Sequence, residues 1–152
     1  RTDMEVIKEL AEDESAYRSL TLSWFKHSPL YEMMKKMSEK SCKVFLTTDH
    51  GTIRVKNASK IMGPKQINSN MRYKVSKNLT YNKKEVMEAL NPEEFLLPKN
   101  SLSSSYVFAK ENNFFVYPNN YHRFANLYND TFQHGGISLE EMLIPFIFLN
   151  SK

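Results

Sequence analysis

Two short stretches carry the residue types that do chemistry. Thr47-Thr48-Asp49-His50-Gly51 sets a carboxylate beside an imidazole, and Phe132-Gln133-His134-Gly135-Gly136 adds a second imidazole before a glycine pair. Aspartate offers a hard oxygen and histidine a ring nitrogen, both of which zinc accepts. Adjacent residues on a regular strand point to opposite faces. Asp49 and His50 can therefore reach one ion only where a strand ends and the chain turns, which Gly51 permits. The two histidines are 84 residues apart (134 minus 50), so a metal centre needs the fold to bring them together. The plainer alternative makes Asp49 a turn cap and His50 a surface histidine.

The elements that would position them come next. Val44-Phe45-Leu46 reads as a buried strand with Asp49 and His50 at its C-terminal end, where open α/β sheets bind ligands. Ser138 and Glu141 have the spacing of a capping box that opens a short helix after the second histidine. Residues 144–149 follow as an apolar strand, with Pro145 near its start. Upstream, a capping box from Thr2 to Glu5 opens a helix, with a break near residues 13–15. Tyr17, Leu20 and Trp24 then continue an apolar face. Ser28 and Pro29 have the chemistry of an N-cap and first helical position. Leu30, Met33, Met34 and Met37 make that helix's core stripe. Helix followed by strand predicts a parallel sheet.

Residues 52–55 read as a short strand, and 56–82 as a long loop with brief extended pieces, because Gly63-Pro64 and many Asn and Ser residues break it. Loops of that length are usually functional. Asn70, Arg72, Tyr73 and Lys74 are its candidate substrate contacts, with Arg72 able to hold a phosphate through two parallel hydrogen bonds. Asn82 is expected to cap a helix to about Leu90, with Phe95, Leu96 and Leu97 packing back. Residues 106–109 and 114–117 flank Lys110-Glu111-Asn112-Asn113 in the pattern of a β-hairpin. Asn119 or Asn120 caps a helix with Tyr121, Phe124, Ala125 and Tyr128 on one face; His122 lies off it.

Of 152 residues, 41% are hydrophobic and 25% charged, as expected of one soluble globular domain. No apolar run is long enough for a membrane span. The single Cys42 excludes an internal disulfide and a multi-cysteine zinc site, and a cytoplasmic location is expected. The net charge of +4 is unevenly spread. Residues 54–84 hold Arg54, Lys56, Lys60, Lys65, Arg72, Lys74, Lys77, Lys83 and Lys84 and no acid. Such a block attracts phosphate-bearing ligands, or is simply a solvated face.

Taken together, the segment around Asp49-His50 and the run from Phe132 to Phe146 resemble the PglZ domain of the alkaline phosphatase superfamily. The similarity is closest to the PglZ output domain of PorX-like response regulators, linked to type IX secretion in Bacteroidetes, and it also covers residues 53–61, 70–82 and 114–136. The resemblance implies an α/β, alkaline-phosphatase-like parallel-sheet domain with flanking helices and a small β-hairpin insertion. It implies two zinc ions, with Asp49 and His50 serving one and His134 the other, and phosphodiesterase action on oligonucleotides or related phosphodiesters. The superfamily also uses a nucleophilic Thr or Ser, an early metal-binding Asp and an Asp-x-x-x-His pair, all earlier in the chain. No such pair precedes Asp49, and Thr47 and Thr48 do not match the nucleophile's motif. The expectation is therefore a C-terminal portion of the domain, opening on Arg1, inactive and weakly zinc-binding by itself. The resemblance further implies a homodimer and a sigma factor or secretion-system component as partner. The other readings are a non-catalytic interaction domain with structural metal, and nucleic-acid binding through the 54–84 block.

Overall fold

In a computed structural model of the chain, residues 11, 13–64, 69–99 and 105–150 are described. The helix expected from Thr2 lies outside them. The chain is mixed α/β, with four helices and four small sheets among the described residues. It divides into two compact units: the chain up to Thr48 together with Pro145 onward, and Asp49–Ile144.

In the first unit, helix α1 (Glu14–Lys26) starts where the Asp13 carboxylate accepts the Ala16 N–H at 2.7 Å. Helix α2 (Pro29–Ser38) starts on Ser28, with Pro29 at its first position. Strand β1 (Lys43–Thr47) pairs antiparallel with β10 (Phe146–Asn150). The run 44–46 is thus not a buried parallel strand. A two-stranded ribbon leaves a face uncovered, and β1 alternates exposed and half-buried residues. Phe45, Phe146 and Phe148 share the exposed face, with ring centroids 5.5 and 4.9 Å from Phe45. Neither helix buries a residue fully, and Met33 in the methionine stripe is exposed. That stripe and Trp24 are half-buried at most, not closed core.

The second unit is built on two facing three-stranded sheets. One has the order β5-β3-β8, from Thr80–Tyr81, Asn57–Met62 and Asn113–Val116; the other has β4-β7-β6, from Tyr73–Ser76, Ser105–Ala109 and Val86–Ala89. The β3–β8 pairing is parallel and the others are antiparallel. Ile61, Phe115, Val86, Val107 and Ala109 form the cluster between the sheets. Phe114 and Val116 point the other way, onto Val55 and helix α3 (Tyr121–Tyr128) through Tyr121, Phe124 and Tyr128. Tyr106 and Phe108 fill a third cluster with Ala89.

Four sequence expectations give way here. The strands at 106–109 and 114–117 exist, but they pair into different sheets instead of forming a hairpin. Both are apolar on both faces, which suits strands buried between layers. Residues 56–82 are not a long loop: they hold β3, β4 and β5. Strand β3 is polar by composition, and its parallel bonds go to residues more than 50 positions away, so local propensity does not reveal it. Asn82 does cap, accepting the Lys84 N–H at 3.1 Å, but a single 3-10 turn, Lys83–Glu85, follows. Pairing with β7 and burial of Val86 and Ala89 then make residues 86–89 a strand. Leu97 packs back as expected, whereas Phe95 is exposed and Leu96 is 95% exposed.

Candidate metal centre

Two short strands bring the histidines together. β2 (Ile53–Arg54) and β9 (Phe132–Gln133) pair antiparallel, with Ile53 opposite Gln133. The residues before β2 therefore meet those after β9. Beyond the other end, Val55 N–H donates to the Thr131 carbonyl at 2.9 Å and Asp130 N–H to the Val55 carbonyl at 2.8 Å. Arg54 Nη2 meets Asp130 Oδ2 at 2.7 Å, which also fixes the register. At the histidine end the His50 and His134 rings stack, with centroids 3.8 Å apart and planes 8° from parallel.

His50 Nδ1 lies 2.8 Å from the Gly51 carbonyl oxygen. A carbonyl only accepts, so Nδ1 carries the proton and Nε2 holds the lone pair of the neutral ring. Nε2 lies 3.8 Å from Asp49 Oδ1, too far for a hydrogen bond. That separation is close to the roughly 3.4 Å between two ligands of one tetrahedral zinc. An imidazole ligates in its own plane, so two parallel stacked rings cannot serve one ion. Each fits its own, and paired catalytic ions sit about 3.5–4 Å apart. The donor set fits a partial two-ion site. Among the described residues no three His, Cys, Asp or Glu side chains converge on one point.

Glu141 underlies both turns. Its backbone carbonyl accepts the Gly51 N–H at 2.8 Å, and its carboxylate accepts the Gly136 and Ser138 N–H groups at 2.8 and 3.2 Å. The Ser138 bond is the return bond of the expected capping box, ahead of helix α4 (Leu139–Met142). Arg72 holds the same carboxylate through Nε and Nη2, both at 2.9 Å, and sends Nη1 to the Asn113 carbonyl. Burial pushes the Glu141 carboxyl up, but Arg72 and the two backbone donors outweigh it, leaving the group below the usual carboxylate range. A side chain at Gly51 would strike the Glu140 carbonyl. At Gly136 a Cβ would sit 2.5 Å from Glu141 Oε2.

The four candidate substrate contacts are placed otherwise. Arg72 is fully buried in its pair with Glu141 and presents no open fork to a phosphate. Asn70 Oδ1 accepts the Arg72 and Tyr73 N–H groups at 2.7 and 3.1 Å, and its Nδ2 donates to the His134 carbonyl at 3.0 Å. Tyr73 packs beside Tyr106 and Phe108, with ring centroids 6.3 and 6.1 Å away. Lys74 is 2% exposed, with its ammonium 4.9 Å from the Tyr117 ring centre, in the wall of a cavity of about 610 Å³. Burial lowers its pKa to about 8. With Arg54 on Asp130, Arg72 on Glu141 and Lys74 buried, the 54–84 block is not one continuous basic surface.

Glu141 is the residue that sequence reading undervalued. Its only sequence signal was the capping-box spacing, which explains one of its contacts. Sequence reading also missed an Asp-x-x-x-His spacing that the chain does hold, Asp130 to His134, but the Asp130 carboxylate faces Arg54.

Against known families, the chain falls into the alkaline-phosphatase-like class, which suggests a phosphoesterase-like hydrolase and is usually metal-dependent. It belongs to the PglZ family: the model described as the BREX system PglZ alkaline phosphatase-like domain matches residues 2–149. No curated protein matches the chain. No described helix is long and apolar enough to cross a membrane.

Proposed function

We propose that the chain is part of a zinc-dependent phosphodiesterase domain, with Asp49 and His50 as ligands of one ion and His134 as a ligand of a second. The observation that carries this reading is the His50 ring. Its proton is held on the Gly51 carbonyl, its Nε2 is turned towards Asp49, and it lies parallel to His134. A bond from the other ring nitrogen to a backbone carbonyl fixes the tautomer a metal ligand needs. When bound, two divalent ions stabilise the attacking and leaving oxygens of an in-line displacement at phosphorus. The nucleophile and remaining ligands are expected from other parts of the full-length protein.

The resemblance to PorX-like proteins supports a setting in a cytoplasmic response regulator, with phosphodiesters such as oligonucleotides as substrate. It also supports a second copy of the protein, a sigma factor or a secretion component as partner. The full-length protein should hydrolyse bis-p-nitrophenyl phosphate or short oligonucleotides only with zinc. Asp49→Ala and His134→Ala should each lower that activity at least a hundredfold, about 2.7 kcal/mol of barrier. Activity that persists without zinc, or in both variants, refutes the reading.

A second reading, a partner-binding output domain with structural metal, is favoured by the exposed aromatic face of Phe45, Phe146 and Phe148. Folded, zinc-loaded protein with no hydrolysis would select it.

A further inference from the structure

The bonds around the two histidine turns converge on three residues. Glu141 takes the Gly51 amide on its backbone carbonyl and the Gly136 amide on its carboxylate, at 2.8 Å each. It thereby ties the turn after His50 to the turn after His134. Arg72 grips that carboxylate with two parallel bonds of 2.9 Å, and its Nη1 anchors the pair to the Asn113 carbonyl at the start of β8. Asn70 accepts the Arg72 amide at 2.7 Å and donates to the His134 carbonyl at 3.0 Å. A chain of hydrogen bonds thus runs from Gly51 through Glu141, Arg72 and Asn70 to His134.

A buried ion pair is a poor device for stability alone, because two apolar side chains of similar volume serve as well or better. What the bidentate geometry adds is direction. Here that direction fixes where two backbone turns sit, and each turn carries an imidazole.

We infer that Asn70, Arg72 and Glu141 are positioning residues that hold the His50 and His134 rings side by side for divalent-metal binding. The metal part of this rests on the function proposed above; the ring geometry does not. The test uses full-length protein with carbon-13-labelled histidine. The variant Arg72→Met/Glu141→Leu replaces both charges by apolar groups of similar size and should stay folded, at a lower melting temperature because the Gly136, Ser138 and Asn113 backbone groups lose their partners. Its His50 and His134 ring resonances should move as the mutual stacking shift is lost, and zinc affinity should fall about ten- to a hundredfold. Asn70→Ala leaves the ion pair intact and should move the His134 resonances, with a change at His50 only through the altered stacking.

If the folded double variant keeps both sets of resonances and its zinc affinity, the inference is overturned and the pair is packing only. If the double variant does not fold, unchanged His134 resonances in Asn70→Ala overturn it. If the parent protein binds no zinc, the proposed function fails, while the resonances still decide the positioning role.

Discussion

Arg72 and Glu141 are 0% and 1% exposed at their side chains, so neither has water to fall back on when its partner is removed. Glu141→Gln would leave a buried guanidinium without its counter-charge. It should cost about 3–5 kcal/mol in chemical denaturation. The pH dependence follows from the direction of the Glu141 shift. Its folded pKa lies below its unfolded one, so its contribution is full above about pH 4.3 and is lost as pH falls through the folded value. The parent chain should therefore show a steeper acid limb than Glu141→Gln. Lys74 presents the opposite case. Its pKa of about 8 means that burial penalises the charged form. Lys74→Met should stabilise the chain by about 1–2 kcal/mol at pH 7, after allowance for the lost contact with the Tyr117 ring. The gain should shrink as pH rises from 8 towards 10.4, the unfolded lysine value.

At the level of elements, burial is unevenly shared. β7 is buried on both faces between two clusters, whereas the β1–β10 ribbon has two strands and an exposed aromatic side. Isolated two-stranded ribbons are marginal in water. Amides of Val107 and Phe108 should therefore exchange with solvent deuterium only on global unfolding, and those of β1 and β10 much sooner. Equal protection in both would contradict this ranking. The same contrast explains what the sequence revealed. Helices α1, α2 and α3 announce themselves through local signals: the spacing of Tyr17, Leu20 and Trp24, Ser28 as a cap, and Tyr121, Phe124 and Tyr128 on one face. The pairings of β3, β6 and β8 do not, because they are decided by partners far along the chain. Val86 and Ala89 become strand only because β7 lies beside them.

For the molecule as a whole, Asp49, His50 and His134 stand out in the sequence by residue type and by the glycines that follow. Their meeting was implied by family resemblance, not by any local rule, and the geometry brings the two rings into contact. Glu141 and Arg72 stayed hidden because each looks ordinary alone: a helix-start glutamate, and one cation in a basic block. Their 69-residue separation also sets an order of assembly. Closing so long a span is entropically slow, and contacts of this kind form late. During synthesis the His50 turn leaves the ribosome well before Glu141. Until Glu141 emerges, the Gly51 amide lacks its carbonyl and the Arg72 guanidinium its carboxylate. A chain whose translation stops at any codon before Glu141 therefore cannot close the centre.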